Sequence, residues 1–116
     1  AGAPIEAVAG SETIAVPEGL VGKRDSYVLR VKGDSMIDAL IRDGDVVILQ
    51  AQDHAETGEM VAAWLIDTEE TTLKRFYAEG PQVRLQPENT AMGPIYADAR
   101  NVQIKGRVIG VLRRYE

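Results

Sequence analysis

The sequence predicts a mostly β domain. Two observations carry this prediction: short runs rich in β-branched and aromatic residues, and clear turn signals between them. No internal repeat and no low-complexity tract competes with that reading. Residues 1–12 are small and mildly apolar, without a helical stripe, and read as an extended arm. Pro17, Gly19 and Gly22 mark residues 13–24 as loop or a short turn of helix. Tyr27 to Val31 is a strand that Gly33 ends, and Ser35 to Leu40 forms a short helix with Asp34 or Ser35 as its cap. Asp43-Gly44-Asp45 is a turn before a buried strand, Val46 to Leu49. Glu59 to Ile66 and Thr71 to Tyr77 make a hairpin around the polar tip Asp67-Thr68-Glu69-Glu70. Gly80-Pro81 turns the chain into a short strand, Gln82 to Gln86, which Pro87-Glu88-Asn89 breaks. Val102 to Leu112 is a last strand or bent pair, with a bulge expected around Gly106 and Gly110.

At 116 residues the chain is one domain with a core large enough to fold alone. No apolar run approaches a membrane span, and Ala-Gly-Ala-Pro at the start lacks the basic region of a signal peptide. The absence of cysteine allows a cytosolic home. A formal net charge of −5 argues against nucleic-acid binding by this piece alone. The opening at Ala1-Gly2, without a start methionine, gives the expectation of a processed or truncated chain.

With no cysteine and one histidine, nucleophilic chemistry has few options. Ser35 and Lys74 supply one of them. A serine must lose its proton to attack a carbonyl, and a lysine deprived of water can take that proton. Each residue has a bland alternative. Ser35 also fits a helix cap, and a hairpin lysine is usually solvated. As a nucleophile, Ser35 would have the amides of Ser35 and Met36 beside it as an oxyanion hole. Lys74 and Arg75 are adjacent on a strand and must point oppositely, so at most one of them is solvated on the outer face. His54 lacks a second ligand and reads as a surface residue, so no metal is expected. Asp43-Gly44-Asp45 lacks the rest of a calcium loop, Glu69 and Glu70 are a solvated tip, and Arg113-Arg114 is too small a basic end for a nucleic-acid site.

Five ordered segments resemble the C-terminal domain of the LexA repressor family, which includes UmuD and phage repressors. They are Gly33-Asp34-Ser35-Met36, Asp43-Gly44-Asp45, Leu73-Lys74-Arg75-Phe76, Leu85-Gln86-Pro87-Glu88-Asn89, and Gly106-Arg107-Val108-Ile109-Gly110-Val111. The resemblance runs from Ala1 to about Arg113. It implies a signal-peptidase-like fold of several twisted antiparallel sheets. Residues 1–12 would be a cleavage-site arm, residues 13–116 the self-cleavage and dimerisation domain, and a helix-turn-helix domain would precede them in the parent chain.

The same resemblance implies chemistry. Ser35 would be the nucleophile, Lys74 the general base, and Ala1-Gly2 the bond that is cut. Ala9-Gly10 is a weaker second choice because it lacks the following proline. No cofactor is expected. The implied partners are a second copy, paired partly through Val108 to Leu112, and a RecA filament on single-stranded DNA as co-protease. Operator DNA would be reached only through the upstream domain, in a cytoplasmic SOS repressor. A UmuD-like polymerase subunit is the alternative, favoured by Gly33 to Asp38, and a phage-type repressor is the third reading. A long upstream segment with a helix-turn-helix marks the repressor, a short arm the UmuD-like protein. A signal peptidase shares the Ser-Lys logic but needs a membrane anchor and a hydrophobic substrate face, which the sequence does not offer.

Overall fold

The structure is a computed structural model that describes residues 5–7 and 25–113. Eight strands form its frame: β1 (Ile5–Ala7), β2 (Ser26–Val31), β3 (Val46–Ala51), β4 (Met60–Leu65), β5 (Glu70–Glu79), β6 (Gln82–Gln86), β7 (Ile95–Asp98) and β8 (Val102–Leu112). They lie in the order β1-β2-β3-β8-β4-β5-β6-β7, with every neighbour antiparallel. The mostly β expectation holds.

The sheets expected as several are joined into one hydrogen-bonded ladder. The joint is β8, whose Val102 to Arg107 half pairs with β4 and whose Gly106 to Leu112 half pairs with β3. Two bulges let one strand serve both partners. The register skips Lys105 opposite Ala62 and Ala63, and skips Ile109 opposite Ile48 and Leu49. Both extra residues sit beside the glycines that signalled a bulge. An extra residue sharpens the local twist, so the two halves can turn their faces differently.

Two cores result. One gathers Leu29, Val31, Met36, Ile41, Val47, Leu49, Ala62 and Leu73; the other gathers Val61, Ala63, Leu65, Phe76, Val83, Leu85 and Ile104. Strand β4 separates them, because alternate residues of a strand face opposite ways. Ala62 enters the first core, while Val61, Ala63 and Leu65 enter the second.

Gly106 lies where the halves meet. A Cβ there would stand 2.7 Å from Tyr27 Oη, 3.0 Å from the Gln50 carbonyl oxygen and 3.2 Å from Leu49 Cβ. The backbone oxygen belongs to the ladder and has little room to retreat. Gly106→Ala is expected to destabilise the fold by about 1–3 kcal/mol in urea unfolding, the usual cost of overpacking.

Two local expectations need correction. The helix over Ser35 to Leu40 is only a three-residue 3-10 turn, Ile37–Ala39. Met36, with no side-chain cap hydrogen bond, precedes it, so neither Asp34 nor Ser35 caps it. The reason is tertiary: Asp38 N–H donates to the Glu88 carbonyl at 2.7 Å instead of to its own turn, and Leu40 leaves helical backbone at φ 64°. Strand β7, with its half-buried and exposed residues alternating, carried too weak a pattern to be predicted. The expected arm at residues 1–12 is described only at Ile5–Ala7, which pairs with β2; the rest of it, and residues 13–24, lie outside the described residues.

Candidate functional site

The site begins where β2 ends. Gly33 takes φ 83°, a conformation open to glycine, and its N–H donates to Asp43 Oδ1 at 2.7 Å. The turn Asp43-Gly44-Asp45 is tied to the end of β2 by two further bonds, Val31 N–H to the Asp45 carbonyl and Gly44 N–H to the Val31 carbonyl, both 2.8 Å. Asp45 is buried and receives Arg113 through Nε at 3.0 Å and Nη2 at 2.8 Å. Arg113 Nη2 also donates to the Leu40 carbonyl at 2.7 Å, so one guanidinium joins the turn to the far end of the Ser35 loop. The bonds from Arg113 hold the Asp45 carboxyl below its usual range. A carboxyl with a depressed folded pKa stabilises the fold above its unfolded value and loses that stabilisation as pH falls through the folded one. Asp45→Ala is expected to cost about 1–3 kcal/mol at pH 7 and less in acid, read from urea unfolding at both pH values.

Lys74 approaches from β5. It is wholly buried, and alternation along the strand sends Arg75 the other way. Arg75 pairs with Glu88 at 2.6 Å and reaches the Gly58 carbonyl at 2.9 Å, staying about one third exposed. Lys74 Nζ meets Ser35 Oγ at 3.1 Å, Thr72 Oγ1 at 2.7 Å and the Leu73 carbonyl at 3.1 Å. Among the described residues no carboxylate forms an ion pair with it. Burial alone therefore acts on the ammonium and pushes its pKa down from 10.5 to about 8. Ser35 is also buried.

A third segment closes around the Ser35 loop. Glu88 accepts Asp38 N–H at its carbonyl and meets Met36 Sδ with its own amide at 3.4 Å. Asn89 Nδ2 donates to the Asp34 carbonyl at 2.8 Å, and Thr90 N–H donates to Asp38 Oδ2 at 3.0 Å. Asp34 to Ile37 closes a β-turn through Ile37 N–H, which leaves Ser35 and Met36 as its central residues. Among the described residues, neither of those two amides donates to an acceptor.

Ser35, Met36 and Lys74 thus come together, whereas Ala1 and Gly2 lie outside the described residues. The residue that sequence reasoning missed is Thr72. It shares a strand face with Lys74 two positions away, and that spacing was the available signal. His54 is exposed beside Asp53 on a groove to which Ser35 and Lys74 contribute nothing. Among the described residues there is no metal-binding cluster and no helix long and apolar enough to cross a membrane.

The mostly β frame thus sets a buried serine against a buried amine that has no counter-ion among the described residues. The chain belongs to the peptidase S24-like family, which it matches over residues 1–109, and within it to the C-terminal domains of the LexA family. It is 51% identical over 113 residues to the LexA repressor of Herpetosiphon aurantiacus, covering 95% of this chain and 53% of that protein. It is 55% identical over 100 residues to the LexA repressor of Roseiflexus sp., covering 86% and 44%. The LexA repressor of Caldicellulosiruptor saccharolyticus is 54% identical over 115 residues, covering 98% and 55%. The chain spans about half the length of the curated relatives it matches.

Proposed function

We propose that this chain is the self-cleaving and dimerising domain of a LexA-like SOS transcriptional repressor. The observation that carries the reading is Lys74 Nζ, buried and without a counter-ion among the described residues, 3.1 Å from Ser35 Oγ. A neutral amine has two hydrogens and one lone pair. The Leu73 carbonyl can only accept, so it takes one hydrogen, and Thr72 Oγ1 takes the other. The lone pair is left for the Ser35 hydroxyl. Lys74 removes the Oγ proton as Oγ bonds to the Ala1 carbonyl carbon. The amides of Ser35 and Met36 hold the resulting oxyanion. The Ala1–Gly2 bond then breaks, and the Lys74 ammonium gives its proton to the departing Gly2 amine. Water, deprotonated by the same lysine, releases Ala1 from the serine ester.

The substrate is the chain itself. Ile5 of β1 pairs with Val31, the last residue of β2, so the paired segment leads back toward the end of β2 from which the Ser35 loop departs. A tethered bond has a high effective concentration and needs no tight substrate pocket, which suits small residues such as Ala1 and Gly2. RecA assembled on single-stranded DNA favours the docked arm as co-protease.

Dimerisation uses β8. Its β4 pairing ends at Arg107, so residues 108–112 keep one ladder edge open among the described residues. A second copy pairs there and sets two upstream helix-turn-helix domains on a two-fold operator. Cutting Ala1-Gly2 separates those domains from the dimer in the cytoplasm and weakens operator binding. The LexA relatives favour this reading over a UmuD-like polymerase subunit or a phage repressor.

The test is self-cleavage of the full-length parent protein, followed by intact mass from neutral to alkaline pH. A cut at Ala1-Gly2 that accelerates with pH and is lost in Ser35→Ala supports the reading. A parent that is never cut leaves the family fold without this activity.

A further inference from the structure

Asn89 uses both ends of its side chain. Nδ2 donates to the Asp34 carbonyl oxygen at 2.8 Å, and Oδ1 accepts the Ala91 N–H at 2.9 Å. The Asp34 carbonyl belongs to the same peptide unit as the Ser35 N–H. Among the described residues no peptide is cis. In a trans peptide the C=O and N–H point in opposite directions. Anchoring the oxygen on Asn89 therefore turns the Ser35 N–H to the other side.

That amide needs an external anchor. It lies outside every strand and donates to no acceptor among the described residues, so no bond of its own fixes its direction. The plane turns about Asp34 ψ and Ser35 φ, and no strand ladder fixes either. Glu88 and Thr90 hold Met36 and Asp38, and neither hydrogen-bonds to the Asp34–Ser35 peptide. The Ile37 N–H at 3.2 Å is the other donor to the Asp34 oxygen, and it moves with the same loop. Asn89 reaches in from a different segment. A hydrogen bond accepted at a carbonyl also polarises its peptide and strengthens the N–H as a donor.

We propose that Asn89 is a positioning residue for the oxyanion hole, its Nδ2 locking the Asp34–Ser35 peptide so that the Ser35 N–H faces the developing negative charge. The assignment rests on the reading of Ser35 as nucleophile with its own amide as an oxyanion donor.

Asn89→Asp separates this role from turn building. An aspartate keeps the oxygen that accepts Ala91 N–H, loses the donor to Asp34 and adds a charge, and Asn89→Ala loses the same donor without adding one. The full-length parent, Asn89→Asp and Asn89→Ala are compared by intact mass from pH 7 to 10, with near-UV circular dichroism to confirm folding. Both variants are expected to lower the alkaline plateau rate on the order of 100-fold, as for a lost oxyanion donor. In Asn89→Ala the midpoint of the pH profile stays at about 8, because Lys74 is untouched. Asn89→Asp cutting as fast as the unchanged parent overturns the assignment and leaves the Ser35–Lys74 reading intact. If that variant does not fold, Asn89→Ala decides: an unchanged plateau, or a loss explained only by a shifted midpoint, overturns it. A parent that is never cut overturns both.

Discussion

Lys74→Ala in the full-length protein is expected to stop self-cleavage at every pH from 7 to 10, a loss on the order of 10⁶-fold, similar to removing the base of a coupled nucleophile–base unit. The unchanged protein gives the profile against which this is read. With a Lys74 pKa of about 8, roughly a tenth of the molecules carry the neutral amine at pH 7 and about half do at pH 8. The rate therefore climbs about tenfold per pH unit below the midpoint and levels off above it. Lys74→Arg does not rescue it, because a guanidinium keeps its proton throughout this range. Ser35→Ala gives the same loss from the other side of the 3.1 Å contact. Intact mass at several pH values separates the cases. A Lys74→Ala protein that still cuts Ala1-Gly2 with the same alkaline rise would assign that rise to another group and end the Lys74 proposal.

Most of this arrangement was legible in the sequence because its signals are local. Six of the eight strands declared themselves by β-rich runs between turns, and the bulges by Gly106 and Gly110 in the last of them. Lys74 and Arg75 could not both be outward, and the ordered motifs chose between them. What was not legible depends on groups far apart in the chain. The Ser35 segment was read as a capped helix, but Glu88 and Asn89 take its backbone groups and leave a turn. Residues 87–89 looked only like a strand breaker. Nothing local shows that their polar groups find the Ser35 loop across more than fifty residues. Thr72 was missed, because strand alternation puts it on the face of Lys74 but its bond to Nζ depends on the lysine folding back along its own strand.

The same buried lysine sets a cost in stability. Between pH 8 and 10.5 the unfolding free energy of the unchanged chain is expected to gain about 3 kcal/mol relative to Lys74→Met. Below about pH 8 lysine is protonated in both folded and unfolded chains, and the fold carries the full burden of a desolvated ammonium. Between 8 and 10.5 the unfolded chain binds the proton and the folded one does not, so stability rises with pH. Above 10.5 both are neutral and the burden is gone. Lys74→Met keeps the aliphatic bulk and has nothing to titrate, so its stability lacks this contribution. At pH 7 the variant is the more stable by about 2 kcal/mol, since the Leu73 carbonyl and Thr72 hydroxyl lose a partner and return part of the gain. Urea unfolding of both chains at pH 7, 8, 9 and 10.5 measures the difference directly. Parallel curves at all four values would mean that Lys74 does not titrate between 8 and 10.5 in the folded state, and the amine would then not be the base that the cleavage chemistry needs. A gap that closes as pH rises would tie the lost stability to the ammonium proton that Lys74 must shed before it can take one from Ser35.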